Sequence, residues 1–114
     1  MKKDYQVLLT RGSLSDIGSI TRYISQDRPE TALHILKKLK TRTASLKRFP
    51  ERGRPFEILK EYGIKGLREV IEGPWQIIYK ILKKTVIVMA VIDSRRKVED
   101  VLYDRLTSIS DDIT

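Results

Sequence analysis

The chain has 114 residues, a net charge of +8 and charged side chains at 33 % of its positions, which suits one small domain with a densely ionic surface. It holds no cysteine, so disulfides and thiolate metal sites are excluded. No run of about 18 apolar residues is available to cross a membrane, and Met1-Lys2-Lys3-Asp4-Tyr5 leads into no apolar signal region; a cytoplasmic protein is expected.

In chain order, Tyr5-Gln6-Val7-Leu8-Leu9-Thr10 is short, β-prone and partly alternating, and reads as a strand. Arg11-Gly12 breaks it. Ser13 is placed as the N-cap of a helix, with Asp16 three residues on as a relative of the capping box. Leu14, Ile17, Ile20 and Ile24 then form one helical stripe, and Gly18 within it is read as room for a close helix crossing. Ser25 to Pro29 interrupts the pattern, with Pro29 suited to the first turn of a second helix. Ala32, Leu36, Leu39, Thr43 and Leu46 repeat in steps of four and three along that helix, which Phe49-Pro50 ends. The two helices make an αα-hairpin. Residues 51–66 form a connector containing Gly53, Pro55, Gly63 and Gly66, long enough to be expected to be functional or mobile.

The period then changes. Leu67 to Glu72 reads as a strand, Gly73-Pro74 as a turn and Trp75 to Ile81 as a second strand. Lys83-Lys84 marks another tight turn. Thr85 to Ile92 is almost wholly apolar, the composition of a strand buried on both faces. In a final helix Val98, Val101, Leu102, Leu106 and Ile109 share one face. The expected class is α+β: an N-terminal strand and an αα-hairpin packed on a mainly antiparallel four-stranded sheet, plus a C-terminal helix. A single domain is expected over 1–109, with 110–114 a frayed acidic tail.

The charge is concentrated. Between Lys37 and Arg54 stand Lys37, Lys38, Lys40, Arg42, Lys47, Arg48, Arg52 and Arg54 against the single acid Glu51. Such a segment attracts RNA, DNA or an acidic protein at long range, and salt weakens the attraction. A solvated helix face accounts for the same residues equally well.

Five strings occur in sequence along this framework. They are Tyr5-x-Val7 followed by Thr10, Asp16-Ile17 and Tyr23-Ile24; Leu46-x-x-Phe49-Pro50-x-x-Gly53-Arg54; Gly66-Leu67-Arg68-Glu69; Trp75-Gln76-Ile77-Ile78-Tyr79; and Val91-Ile92-Asp93-Ser94-Arg95-Arg96. With the order of elements, they resemble the RelE/ParE toxins of bacterial type II toxin–antitoxin systems, over roughly residues 5 to 106. The resemblance implies a growth-blocking toxin neutralised by a cognate antitoxin, whose extended or helical C-terminal segment wraps the toxin. ParE-like members inhibit DNA gyrase and so replication. RelE-like members cut messenger RNA on the ribosome without metal. A basic toxin suits an acidic, disordered partner that folds on binding.

Messenger RNA cleavage needs a base, an acid and cations around the developing charge. On the RelE-like reading the catalytic candidates are Arg68, Arg95, Arg96 and Tyr103. The bland alternatives are that Arg95 and Arg96 cap the sheet edge or pair with Glu99 and Asp100, and that Tyr103 places its ring in the core. Where the family pattern has an arginine in the string "Y-R-I-I-Y", this chain has uncharged Gln76. Gln76 and the Pro50 to Arg54 turn favour the ParE-like reading, a non-enzymatic gyrase inhibitor. Its target-binding candidates are Lys47, Arg52, Arg54, Arg95 and Arg96; the alternative partners are the ribosome and messenger RNA. No cofactor is called for. The lone His34 reads as structural or exposed, which with the absence of cysteine argues against a zinc site. Gly63-x-x-Gly66 lacks the length and the following Lys of a P-loop, and Trp75 reads as a core or interface aromatic.

Overall fold

The change of hydrophobic period near residue 66 separates a helical half from a sheet half in the computed structural model, which describes residues 4–95, 101–103 and 105. Its elements are β1 (Gln6–Leu9), α1 (Arg11–Ser25), α2 (Pro29–Ala44), β2 (Arg54–Pro55), β3 (Leu67–Glu72), β4 (Trp75–Leu82) and β5 (Thr85–Asp93). Residues 101–103 and 105 are helical. The α+β class and the mainly antiparallel sheet are as expected. The four long strands gain a fifth, the two-residue β2, in the order β1-β5-β4-β3-β2. β1 runs parallel to β5, and the other pairs are antiparallel.

Two-residue loops join β3 to β4 and β4 to β5. Glu72 faces Trp75 across Gly73-Pro74, where Gly73 takes φ +60°, a conformation that an L side chain resists. Leu82 faces Thr85 across Lys83-Lys84, and there Lys83 itself stands at φ 57°. β5 is buried from Val86 to Ile92, as its composition requires.

The sheet is covered on both faces. On one, Ile17, Leu39 and Leu46 pack on Val70, Ile77, Tyr79, Val86, Val88 and Val91. On the other, Phe56, Leu59 and Leu102 pack on Leu67, Ile78, Ile87, Met89, Ala90 and Ile92. The connector is tied to the domain: it supplies Phe56 and Leu59 to this second core. A bulge in β5 serves the same core. Ile78 pairs with Ala90 and Tyr79 with Val88, so the unpaired Met89 and its neighbour Ala90 both face Leu102 and Phe56.

The start of α1 differs from expectation. Thr10, not Ser13, is the N-cap, its side chain accepting from the Ser13 N–H at 3.1 Å. Ser13 is the third residue of the helix, fully buried, and its hydroxyl donates to the Thr10 carbonyl. It holds the inward position of that turn, and Leu14 of the expected stripe is 56 % exposed. Gly18 makes no helix crossing, since a Cβ there would approach only the Arg22 side chain of its own helix. Pro29 does open α2. Val98, Leu106, Ile109 and the tail at 110–114 lie outside the described residues.

One side chain fixes the route from α2 to the sheet. The Tyr79 hydroxyl, fully buried on β4, donates to the Pro50 carbonyl at 2.5 Å and accepts from the Gly53 N–H at 3.0 Å. Gly53 is required because a Cβ there would strike that hydroxyl and lie 2.8 Å from the Glu69 carbonyl. Tyr79→Phe leaves two buried backbone groups without partners, an expected loss of about 1–3 kcal/mol, read as a lower denaturation midpoint at unchanged slope. Burial also raises the Tyr79 phenol above its ordinary 10.0. The folded chain thus holds that proton more tightly than the unfolded one, so the contribution is whole below about pH 10 and fades as pH climbs through the folded value. A stability profile against pH should show this alkaline loss in the native chain and less of it in Tyr79→Phe.

Candidate functional site

Helix α2 buries Ala32, Leu39 and Thr43, which turns His34, Lys37, Lys38 and Thr41 outward at helical spacing. With Arg42, Ser45, Arg52 and Glu72 these residues line an open cavity of about 440 Å³. Two smaller hollows adjoin it. One lies among Tyr5, Arg48, Phe49, Glu51 and Lys84, the other among Arg42, Arg54, Glu69 and Ile71, and Arg52 lines both as well. Arg52 is thus the common wall of all three.

The turn clamped by Tyr79 sets this arrangement. It carries Arg52 back toward the end of α2, where Nη2 donates to the Ser45 hydroxyl at 3.2 Å. It also delivers Arg54 to β2 opposite Glu69. Glu69 accepts from Arg54 at 3.4 Å and from the Gln76 amide at 2.9 Å. Arg42 Nε lies 3.4 Å from the Glu72 carboxylate but makes no hydrogen bond. Arg54 and Arg42 are therefore compensated by acids. Lys37, Lys38 and Arg48 are exposed, and among the described residues no ion pair holds them. Lys84 lies over the Tyr5 ring, 4.6 Å from its centre. The surface keeps its positive charge.

Among the described residues, the expected catalytic side chains Arg68, Arg95 and Tyr103 have separate partners. Arg68 on β3 donates to the Glu51 and Gly53 carbonyls at 3.2 and 2.8 Å. Arg95 follows β5 and is bound in a fork by Asp93, at 3.0 and 2.6 Å; that carboxylate holds the guanidinium's proton more tightly than usual, raising its pKa. Its observed partner is therefore Asp93, and the expected alternatives Glu99 and Asp100 lie outside the described residues, as does Arg96. Arg68 is level with Tyr79 and Asp93 with Trp75. Four positions along β4 separate those levels, roughly 13 Å. The Tyr103 ring is not in the core: it is 45 % exposed and meets Tyr62 edge-on, with ring centres 5.5 Å apart.

Of the target-binding candidates, Arg52 and Arg54 share this surface. The Lys47 carbonyl accepts from the Tyr5 N–H at 2.7 Å, and its residue is exposed. His34 is exposed, as expected, but it lines the cavity, a place that sequence alone did not assign. Trp75 is partly buried against the hairpin-side core. Among the described residues no three His, Asp or Glu side chains could together hold a metal ion, and no helix is long and apolar enough to cross a membrane.

A second constellation went unseen in the sequence. Asp16, expected near a helix cap, instead reaches β5, accepting from the Val91 N–H at 2.9 Å. Arg105 grips the same carboxylate through Nη1 and Nη2 at 3.0 and 3.1 Å, and Nη1 also donates to the Met89 carbonyl. Both side chains are less than a fifth exposed. The partners stand 89 positions apart, beyond the reach of any local pattern.

Comparison with known proteins gives a consistent family picture. The family model described as the ParE toxin of the type II toxin–antitoxin system parDE matches residues 7–98, most of the chain. Among solved structures, the chromosomal ParDE toxin–antitoxin system of P. aeruginosa is similar with a TM-score of 0.66 at 16 % identity, covering 78 % of this chain and 95 % of that one. The RelBE2 toxin–antitoxin complex of Mycobacterium tuberculosis is similar with a TM-score of 0.55 at 19 % identity, covering 82 % and 94 %. No curated protein matches by sequence.

The Asp16–Arg105 pair yields a direct test of the architecture. Asp16→Asn keeps the shape but removes the carboxylate charge that the largely buried Arg105 guanidinium grips, an expected loss of about 3 kcal/mol. Amide exchange at Val91 should quicken in the same variant. An unchanged midpoint with unchanged exchange would mean that the pair holds nothing in place.

Proposed function

Since the chain belongs to the ParE toxin family of type II toxin–antitoxin systems, we propose that it blocks growth by inhibiting DNA gyrase, and with it replication, and that a cognate antitoxin neutralises it. The observation that carries this reading is that the catalytic candidates among the described residues are each engaged by a different partner. Arg68 is spent on backbone carbonyls, Arg95 on Asp93, and Tyr103 packs on Tyr62, whereas general acid–base chemistry needs its groups within hydrogen-bond reach of one reacting centre. Gln76 supports it too: its amide is committed to Glu69, so the position supplies no cation. Inhibition by binding asks only for a complementary surface, which Arg52 and Arg54 help to form, with Lys47, Arg95 and Arg96 as further contacts. Residues 1–109 act as the toxin domain, in the cytoplasm where gyrase works.

The antitoxin is an acidic segment that orders on the basic toxin; the two similar structures are themselves a ParDE toxin–antitoxin system and a RelBE2 toxin–antitoxin complex. Coexpression with the neighbouring reading frame should restore growth that the toxin alone arrests.

The deciding assay is supercoiling of relaxed plasmid by purified gyrase with this protein added. Loss of supercoiling with accumulation of cleaved DNA is expected. Arg52→Glu together with Arg54→Glu should raise the half-inhibitory concentration by about tenfold or more, equivalent to about 1.4 kcal/mol of binding. Full supercoiling in the presence of excess toxin would sink the gyrase reading. It would send the search to cleaved message on translating ribosomes, with Arg68→Ala, Arg95→Ala, Arg96→Ala and Tyr103→Phe as the variants to lose activity.

A further inference from the structure

We infer that the cationic surface centred on Arg52 binds the phosphate backbone of duplex DNA directly, so that the toxin is a DNA-binding protein in its own right. The choice of duplex DNA over other polyanions rests on the gyrase reading above, because that enzyme's substrate is duplex DNA. The surface itself comes from geometry. Arg52 is the shared wall of three adjoining hollows, so cations from three parts of the chain meet around it: Lys37 and Lys38 from α2, Arg48 from the turn after it, and Lys84 from the β4–β5 loop.

The compensated and uncompensated cations separate cleanly here. Glu72 answers Arg42 and Glu69 answers Arg54, which leaves the lysines and Arg48 exposed and, among the described residues, in no ion pair; Glu51 lines the same hollow as Arg48, Arg52 and Lys84 without pairing with any of them. Arg52 is steadied by a neutral hydroxyl, Ser45, so its orientation is fixed while its charge is kept. Thr41 adds a hydroxyl to the same cavity. Exposed cations held in no ion pair, with the Thr41 hydroxyl among them and spread over several elements, suit a repeating anion read through its phosphates and not through its bases. Their electrostatic contribution scales with the number of phosphates neutralised.

The test is fluorescence anisotropy of a labelled duplex with the full-length protein and no gyrase, repeated across salt concentrations. The matching single-stranded RNA is titrated in parallel. Engagement of Lys37, Lys38, Arg48, Arg52 and Lys84 predicts a slope of log affinity on log salt near about −4.5, and Lys37→Glu with Lys38→Glu should flatten it by about 1.8 and weaken binding at least tenfold. Lys60→Glu with Lys65→Glu imposes the same change of net charge from the connector and should leave the slope within about 0.5 of the native value. Thermal melts confirm that each variant is folded. The inference is overturned if the duplex does not bind at low salt, if the two double variants weaken it equally, or if RNA binds more tightly than the duplex. Because gyrase is absent, this result stands apart from the supercoiling assay: a toxin that binds DNA yet spares gyrase refutes only the functional reading, and one that poisons gyrase without binding DNA refutes only this one.

Discussion

A strand that outruns its neighbour organises this molecule. β1 pairs with β5 only from Thr85 to Val88, while β5 continues to Asp93 through the interior, where an unpaired backbone group costs as much as a lost hydrogen bond. The chain closes that open edge with side chains. The Thr10 hydroxyl shares its proton between the Val88 and Met89 carbonyls, Arg105 takes Met89 as well, and Asp16 accepts the Val91 N–H. Thr10 is at the same time the cap of α1, so satisfying the strand edge also fixes where the helix starts and how it lies. From α1 the hairpin places α2, and α2 turns its basic face outward. The position of the positive surface is thus a consequence of how one buried strand is finished.

The Tyr79 hydroxyl plays the matching part at the other side of the sheet. It is the one polar atom of a fully buried ring, and its two hydrogen bonds hold Pro50 and Gly53. This gives a physical meaning to the spacing of Leu46, Pro50, Gly53 and Arg54. Leu46 anchors the turn in the core, Pro50 presents a carbonyl, Gly53 makes room for the hydroxyl, and Arg54 meets Glu69. Arg52, between them, points away from the core because its neighbours are held against it.

Local patterns made the elements legible. The step of Ala32, Leu36, Leu39, Thr43 and Leu46, the unbroken apolar run from Val86 to Ile92 and the two-residue loops are all written in neighbouring residues, and the family strings drew the order together. What escaped depends on contacts across the chain. Thr10 displaced Ser13 as the cap because Thr10 is tied to β5, 78 positions away. Asp16 left its expected helix-capping role for Val91 and Arg105. The connector looked loose because glycines and prolines punctuate it, yet Phe56 and Leu59 within it have a whole sheet face to cover. Charge density between Lys37 and Arg54 was visible at once, but only the fold shows which of those cations acids answer and which are left over.

That division bears on how a protein of this size can be a toxin. Its buried apolar side chains cover two faces of one sheet, and three of its cations are matched by acids: Arg105 by Asp16, Arg54 by Glu69, Arg42 by Glu72. The unmatched cations repel one another and weaken the compact state, so nothing in the stability of the fold asks for them. They do have a use in association, since a concentrated positive surface speeds encounter with a polyanion and draws its binding strength from charge rather than from close apolar fit. The acidic antitoxin segment and the duplex DNA proposed above would present the same sign of charge to that surface.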